Sequence, residues 1–316
     1  MEKRIKLTLI LFLFLLLIQP GSNAIQQLNL HRGTPVIRET SLGIPTSATI
    51  PISKNRLNIP RLSAYAAIVI DKESGSILYS KNPDVQLFPA SITKLMTAVV
   101  ALDTFPLDKV VTITKESQAV GSTMNLQANE KISVENLLKG LLISSGNDAA
   151  YALAEAYPGG YEKFVEAMNA KTQTLHMEFT TYKNVSGVEQ DGHVTTVRDI
   201  ATLSKVAMTY PFVRDTVKLE KAVVTDTTGQ VIHELQSTDK LLGKVVGLEG
   251  IKTGWTTQAG ECLVAQVTRN GHTIISVVLK SDDRFGETEY LIEWAFSNYT
   301  WKTFQFEEDP LLEDSL

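Results

Sequence analysis

Three short motifs carry residues able to do covalent acyl chemistry: Ser91-Ile92-Thr93-Lys94, Ser145-Gly146-Asn147 and Lys252-Thr253-Gly254. Ser91 and Lys94 are three positions apart, so a helix sets them on one face, about 5–6 Å apart at Cβ. A lysine there can take the serine proton if it is neutral. Burial and a second cation both lower a lysine pKa, and Lys252 is the available cation. A helix start at Ser91 also turns free backbone N–H groups toward a developing oxyanion. Ser145 offers a hydroxyl that can relay a proton to a leaving amine. Asn147 offers an amide to hold Lys94 and a substrate. Lys252 and Thr253 suit a carboxylate, and Gly254 lets a substrate backbone approach closely. The N–H of Trp255 is then a second oxyanion donor.

Each motif alone has a plainer explanation. Ser-x-x-Lys also describes a helix start with a solvated lysine. Ser145-Gly146-Asn147 also describes a helix C-cap at Gly146 followed by an N-cap at Asn147. Lys252-Thr253-Gly254 also describes a surface turn. Their order along one chain, with these flanks, outweighs those explanations.

The flanks are Leu62-Ser63-Ala64 leading into Ala67-Ile68-Val69-Ile70-Asp71, and Pro89-Ala90-Ser91 leading into Lys94-Leu95-Met96-Thr97-Ala98. The third is Gly250-Ile251-Lys252-Thr253-Gly254-Trp255-Thr256, leading into Ala259-Gly260-Glu261-Cys262. With the three motifs, they resemble the D-alanyl-D-alanine carboxypeptidases, low-molecular-mass penicillin-binding serine peptidases. The likeness runs over roughly residues 60–297. It implies an α+β, β-lactamase/transpeptidase-like fold, in which N- and C-terminal strands share an antiparallel sheet around a helical middle. It implies removal of the terminal D-alanine of a peptidoglycan stem peptide through an acyl-enzyme on Ser91. β-Lactam antibiotics are then expected as covalent inhibitors, and no cofactor is implied. The resemblance also aligns Arg284 with an arginine near the substrate carboxylate. His193 falls in a matching stretch and reads as structural.

The elements around the motifs fit that order. Strands are expected at 66–70 and 76–79, a helix at 93–102 and a short strand at 110–113. Helices follow at 134–142, 148–156, 162–175 and 196–208. Strands are expected again at 217–224, 231–235, 262–268 and 272–279, then a helix at 287–296. The domain reading is a signal peptide at 1–24, a Pro/Ser-rich linker at 25–62, a catalytic domain at 63–300 and an acidic tail at 301–316.

The first 24 residues carry Lys3, Arg4 and Lys6, then an apolar run from Leu7 to Ile18, then Ser22-Asn23-Ala24. This pattern reads as a signal peptide cleaved after about Ala24. The alternative is an uncleaved anchor, but a 12-residue run falls short of the roughly 20 needed to span a bilayer. The product is expected to be periplasmic or extracellular. The acidic segment 307–316 has the wrong charge for an anionic membrane surface, so no C-terminal tether is expected.

A net charge of −5 leaves no basic footprint for nucleic acid. The single cysteine, Cys262, excludes an intramolecular disulfide and sits in an apolar run that reads as core. The five histidines show no zinc spacing, and no Gly-x-Ser-x-Gly is present. A class A β-lactamase needs a further Glu-x-x-Leu-Asn carboxylate; Glu166-Ala167-Met168-Asn169 is one residue too short. β-Lactams should therefore acylate Ser91 and leave slowly. Two rivals remain: a DD-endopeptidase that cleaves crosslinks by the same chemistry, and a non-catalytic peptidoglycan-binding module.

Overall fold

The computed structural model describes residues 47–305, apart from 55–57, 115, 116, 118 and 120. The expected signal peptide and residues 25–46 of the expected linker lie outside the described residues, as do 306–316 of the tail.

A five-stranded antiparallel sheet organises the rest, in the order β3-β2-β10-β9-β8. Its N-terminal strands are β2 (Ala66–Asp71) and β3 (Ile77–Lys81). Its C-terminal strands are β8 (Leu248–Thr256), β9 (Gly260–Arg269) and β10 (His272–Ser281). β10 pairs with β2, with Ile275 opposite Ile70. The two ends of the domain therefore close one sheet, as the α+β reading requires. The β2–β3 turn is fixed locally: the Asp71 carboxylate accepts from the Ser74 N–H at 2.9 Å.

Alternate side chains of a strand point to opposite faces. Here both faces are apolar, so the strands divide one sequence between two cores. Ile68, Ile70, Val264, Ile275 and Val277 join the core under the helical middle. Val69, Leu263, Ala265, Ile274 and Val278 join a second core. That second core is closed by α7 (Arg284–Asn298), whose Leu291, Ile292 and Ala295 are fully buried.

The helical middle begins with a 3-10 turn (Ala90–Thr93) that runs into α1 (Lys94–Thr104). α1 is buried on every side from Lys94 to Ala101, the mark of a central helix. Around it lie α2 (Val134–Ile143), α3 (Asn147–Glu155), α4 (Gly160–Thr174), α5 (Val197–Ala207) and α6 (Pro211–Val217). Ser133 caps α2 by accepting from Asn136 N–H, and Thr196 caps α5 by accepting from Asp199 N–H. Two small hairpins complete this region: β4 (Val110–Thr112) with β5 (Lys131–Ser133), and β6 (Lys221–Thr225) with β7 (Ile232–Gln236).

Three expectations need correction. Residues 217–224 do not form one strand; α6 ends at Val217 and β6 starts at Lys221. Pro211 at the first turn favours a helix start. The buried Val213, Thr216 and Val217 are spaced three and one apart, a helical stripe built from β-branched residues. The expected linker contains a strand, β1 (Ser47–Ser53). Its partner is β11 (Tyr299–Gln305), which takes the first residues of the expected tail. Pro51 is tolerated because a two-stranded ribbon has free edges. Finally, no strand was expected at 248–256, yet Lys252-Thr253-Gly254 lies well inside β8 and is not a surface turn.

Candidate active site

Ser91 sits in the 3-10 turn and Lys94 is the first residue of α1. Residues three apart eclipse in a 3-10 turn. The Lys94 Nζ therefore reaches the Ser91 Oγ at 2.8 Å. Lys94 is completely buried, and its second contact is the Ser186 carbonyl at 2.8 Å. Burial first, then the Lys252 charge, hold its pKa well below the usual lysine range; the Asp148 carboxylate pulls weakly the other way. Both causes favour the neutral amine, the form able to accept the Ser91 proton.

The turn that aims Ser91 is held by unusual backbone. Ala90 has φ +47°, a left-handed conformation that costs a non-glycine residue energy and is retained when its surroundings enforce it. Gly187 presses against it: a Cβ on Gly187 would lie 1.8 Å from the Ala90 carbonyl oxygen. No side chain fits there. His193 holds the next turn. Its Nδ1 accepts from Lys183 N–H at 3.1 Å, so Nε2 carries the proton and donates to Thr93 Oγ1 at 2.8 Å. Burial depresses the His193 pKa to about 4, so the ring stays neutral and structural, as expected.

Ser145-Gly146-Asn147 joins α2 to α3. The capping arrangement that explains the tripeptide without function is not the one found. The left-handed residue is Ser145, with φ +60°, not Gly146. Asn147 is the first residue of α3, not its cap. Ser145 and Asn147 are both buried. The loop 121–126 is fastened over them. Asn147 N–H donates to Ser122 O at 2.7 Å. The Asp148 carboxylate accepts from Met124 N–H at 3.0 Å, Leu126 N–H at 3.1 Å and Ala149 N–H at 2.9 Å.

β8 supplies the opposite wall. It is an edge strand, so one row of its backbone groups has no sheet partner. A Cβ on Gly254 would come 3.1 Å from Ser91 N and 3.0 Å from Ala90 Cβ. Only glycine lets β8 lie this close to the nucleophile's turn. Lys252 is two residues away and therefore shares that face. It is buried, and its Nζ donates to Thr253 O at 3.0 Å. Burial, then the Arg284 charge, lower its pKa to about 7, against a weaker pull from Asp239. Thr253 Oγ1 meets Thr238 Oγ1 at 2.5 Å.

Arg284, at the start of α7, reaches the same place. Its Nη1 donates to the Gly254 carbonyl at 2.7 Å, while its buried Nε has no hydrogen-bond partner. Lys252 and Arg284 thus bring two cations to one end of β8, with Asp239 the one acid that acts on Lys252. Burial raises the Asp239 pKa, which weakens that compensation. An anionic group is what this corner lacks.

A cleft of about 590 Å³ opens over these groups, lined by Ser91, Ser122, Asn147, Gly187, Glu189 and Trp255 among others. The structure thus gathers Ser91, Lys94, Ser145, Asn147, Lys252, Thr253, Gly254, Trp255 and Arg284 around one cleft and the wall behind it. Sequence reasoning missed Ser186, Asp148, Asp239 and Glu189. The one available signal was Asn184-Val185-Ser186-Gly187, a turn sequence whose Asn184 Oδ1 accepts from Gly187 N–H at 2.8 Å. Among the described residues, no group of His, Cys, Asp and Glu is arranged to hold a metal. No helix among them is long and apolar enough to cross a membrane.

The comparisons agree with this geometry. The family model for D-alanyl-D-alanine carboxypeptidases matches residues 53–283. The carboxypeptidase DacF of Bacillus subtilis is 33% identical over 245 residues, which cover 75% of this chain and 63% of that protein. DacC of Escherichia coli is 35% identical, covering 77% of this chain and 64% of that protein. The chain therefore spans just under two thirds of these relatives. A protein of Pseudomonas aeruginosa named D-alanyl-D-alanine endopeptidase is also 35% identical, over 80% of this chain and 79% of its own length. Among solved structures, the Streptomyces K15 DD-transpeptidase superposes with a TM-score of 0.73 at 30% identity, over 76% of this chain and all of that one. Motifs, fold and relatives lead to one assignment: this chain belongs to the D-alanyl-D-alanine carboxypeptidase family, peptidase family S11.

Proposed function

We propose that this protein is a serine D-Ala-D-Ala carboxypeptidase acting on peptidoglycan stem peptides. The observation that carries the reading is the buried Lys94, its pKa depressed and its Nζ 2.8 Å from the Ser91 Oγ. The substrate lies along β8. Its terminal carboxylate binds Lys252 and Thr253, with Arg284 adding charge. Lys94 takes the Ser91 proton as Oγ attacks the penultimate D-Ala carbonyl. The N–H groups of Ser91 and Trp255 receive the oxyanion. The proton passes through Ser145 to the leaving amine, and D-alanine departs. Asn147 holds Lys94 and the substrate amide. Water, deprotonated by Lys94, then cleaves the acyl-enzyme.

β-Lactams enter the same path, acylating Ser91 and leaving slowly. Residues 63–300 form the catalytic domain in this reading. The chain is exported, to the periplasm or the medium, by a leader at 1–24. Crosslink cleavage is a second reading, supported by the Pseudomonas relative named an endopeptidase; a crosslink presents the same scissile bond with a larger leaving amine. The test is D-alanine release from a synthetic stem peptide ending in D-Ala-D-Ala, with wild type and Ser91→Ala in parallel. Release by wild type alone is expected. Turnover by Ser91→Ala would sink the scheme, and release by neither would move the weight to crosslinks or to a silent cell-wall binder.

A further inference from the structure

We infer that Asp239 takes up a proton when the terminal carboxylate of the peptide binds at Lys252 and Thr253, so that a neutral acid, not a second anion, stands beside the bound group. The inference rests on the peptidase reading above and deepens it, by naming what the carboxylate site requires of the acid next to it.

The chain brings Asp239 there through β7. That strand ends at Gln236, and Ser237 N–H donates to Glu220 O at 2.8 Å. Thr238 Oγ1 then meets Thr253 Oγ1 at 2.5 Å, which sets the segment 237–239 against the carboxylate-binding stretch of β8. Asp239 N–H donates to Ser237 Oγ at 3.1 Å, and Asp239 Oδ1 accepts from Leu241 N–H at 2.9 Å. Leu241 itself is anchored in the second core. The carboxyl group is thus held by its own chain neighbours.

Its other oxygen is held by nothing. Oδ2 is buried and has no hydrogen-bond partner. The charges that act on Asp239 are Lys252 from β8 and Arg284 from α7, yet both send their hydrogen bonds elsewhere. Lys252 Nζ donates to Thr253 O at 3.0 Å and Arg284 Nη1 to Gly254 O at 2.7 Å. Lys240, the next residue, holds its ammonium over the Phe285 ring, 5.7 Å from the centroid. A buried carboxylate oxygen without a donor is costly. Protonation turns that oxygen into a donor. Burial already pushes the Asp239 pKa up, with Lys252 and Arg284 acting against it.

A ligand carboxylate tips this balance. An α-carboxyl is ionised above about pH 4, so its arrival sets a second negative charge beside Asp239 and draws on the same two cations. Like charges sharing a site push a carboxyl pKa further up. One proton therefore passes from solvent to Asp239, and the ligand carboxylate gives the new O–H its acceptor. The proton returns to solvent when D-alanine departs with its carboxylate. An Asp239 that stayed ionised would instead compete with the ligand for Lys252 and Arg284. Each unit of pKa rise at Asp239 on binding corresponds to about tenfold tighter binding by the protonated form.

Calorimetric titration of the full chain carrying Ser91→Ala, with an N-acetylated peptide ending in D-Ala-D-Ala and two buffers of different ionisation heat, counts the protons bound. Over a series from about pH 5 to about pH 8, where the peptide carboxylate is ionised, Ser91→Ala should take up a large fraction of a proton. With Asp239→Asn added, only the uptake near pH 7, where Lys252 titrates, should remain. In the enzyme with Ser91 in place, Asp239→Asn mimics the neutral acid and should lower KM at pH 7 by on the order of tenfold, more than it changes kcat. Equal proton uptake with and without Asp239, or a KM unchanged or raised by Asp239→Asn, overturns the inference while leaving the peptidase reading intact. No binding by Ser91→Ala together with no turnover by wild type overturns that reading, and the inference with it.

Discussion

The two faces of the central sheet are built from the same strands and do different work. The face under α7 is apolar throughout its core: Val69, Leu263, Ile274 and Val278 meet Leu291, Ile292 and Trp294. Trp294 packs edge-on against Tyr79 with ring centroids 5.8 Å apart, and its indole N–H donates to Asn58 O at 2.7 Å. The face under the helical middle is as deeply buried, yet it holds Lys94 and Lys252 with no carboxylate among the described residues on either amine. It also holds left-handed Ala90 and Ser145. One face supplies stability. The other gives some up to hold an amine of depressed pKa beside a serine.

Substitutions can break this division. The largest expected effect is on Lys94. Lys94→Met should lower kcat/KM by about 10²–10⁴, the usual contribution of a positioned base. The same variant should melt no earlier than wild type at pH 7, because it removes a buried amine rather than a packing group. Trp294→Ala should do the reverse. It should cost about 3–5 kcal/mol of stability by leaving a cavity, read by denaturant unfolding, while kcat/KM of the folded protein stays near wild type. A catalytic loss in Trp294→Ala as large as that in Lys94→Met would erase the distinction.

Acidity sharpens the comparison further. Lys94 and Lys252 have folded pKa values below their unfolded ones, so the unfolded chain binds more protons between the two values. Their contribution to stability therefore rises with pH from about 7, the folded value for Lys252, toward the unfolded lysine value near 10.4. Lys94→Met should flatten that rise in a pH series of unfolding curves. Activity follows a different rule. The acid limb of kcat/KM should come from protonation of Lys94, and the alkaline limb from loss of the Lys252 charge, beginning near pH 7. Lys252→Arg should push the alkaline limb beyond the measurable range. The smallest effect belongs to neither face. Lys163→Ala, which breaks an exposed pair with Glu166, should change stability by less than about 0.5 kcal/mol and activity not at all.

The residues that the proposed chemistry needs were easier to read in the sequence than their supports. Ser91, Lys94 and Lys252 announce themselves because reactive side chains at short fixed spacings are local signals. That N- and C-terminal strands share one sheet was legible for a similar reason: β2, β9 and β10 are apolar runs that a doubly covered sheet can bury, whereas β8, with its polar Glu249, Lys252 and Thr253, was not foreseen. What stayed hidden depends on distant partners. β1 reads as linker because its only strand partner, β11, lies some 250 residues away. Gly187 and Ser186 look like any turn until the fold sets them against Ala90 and Lys94. α6 was not foreseen, because β-branched residues fill its helical stripe, and the strand expected from Val217 starts only at Lys221.

Whether Ser91 is the acylated nucleophile is read from the intact mass of the protein after exposure to a penicillin, followed by peptide mapping. A single stoichiometric adduct that persists for minutes or longer is expected, located on the peptide containing Ser91 and missing in Ser91→Ala. An adduct on another residue, or no adduct on folded wild-type protein, would contradict it.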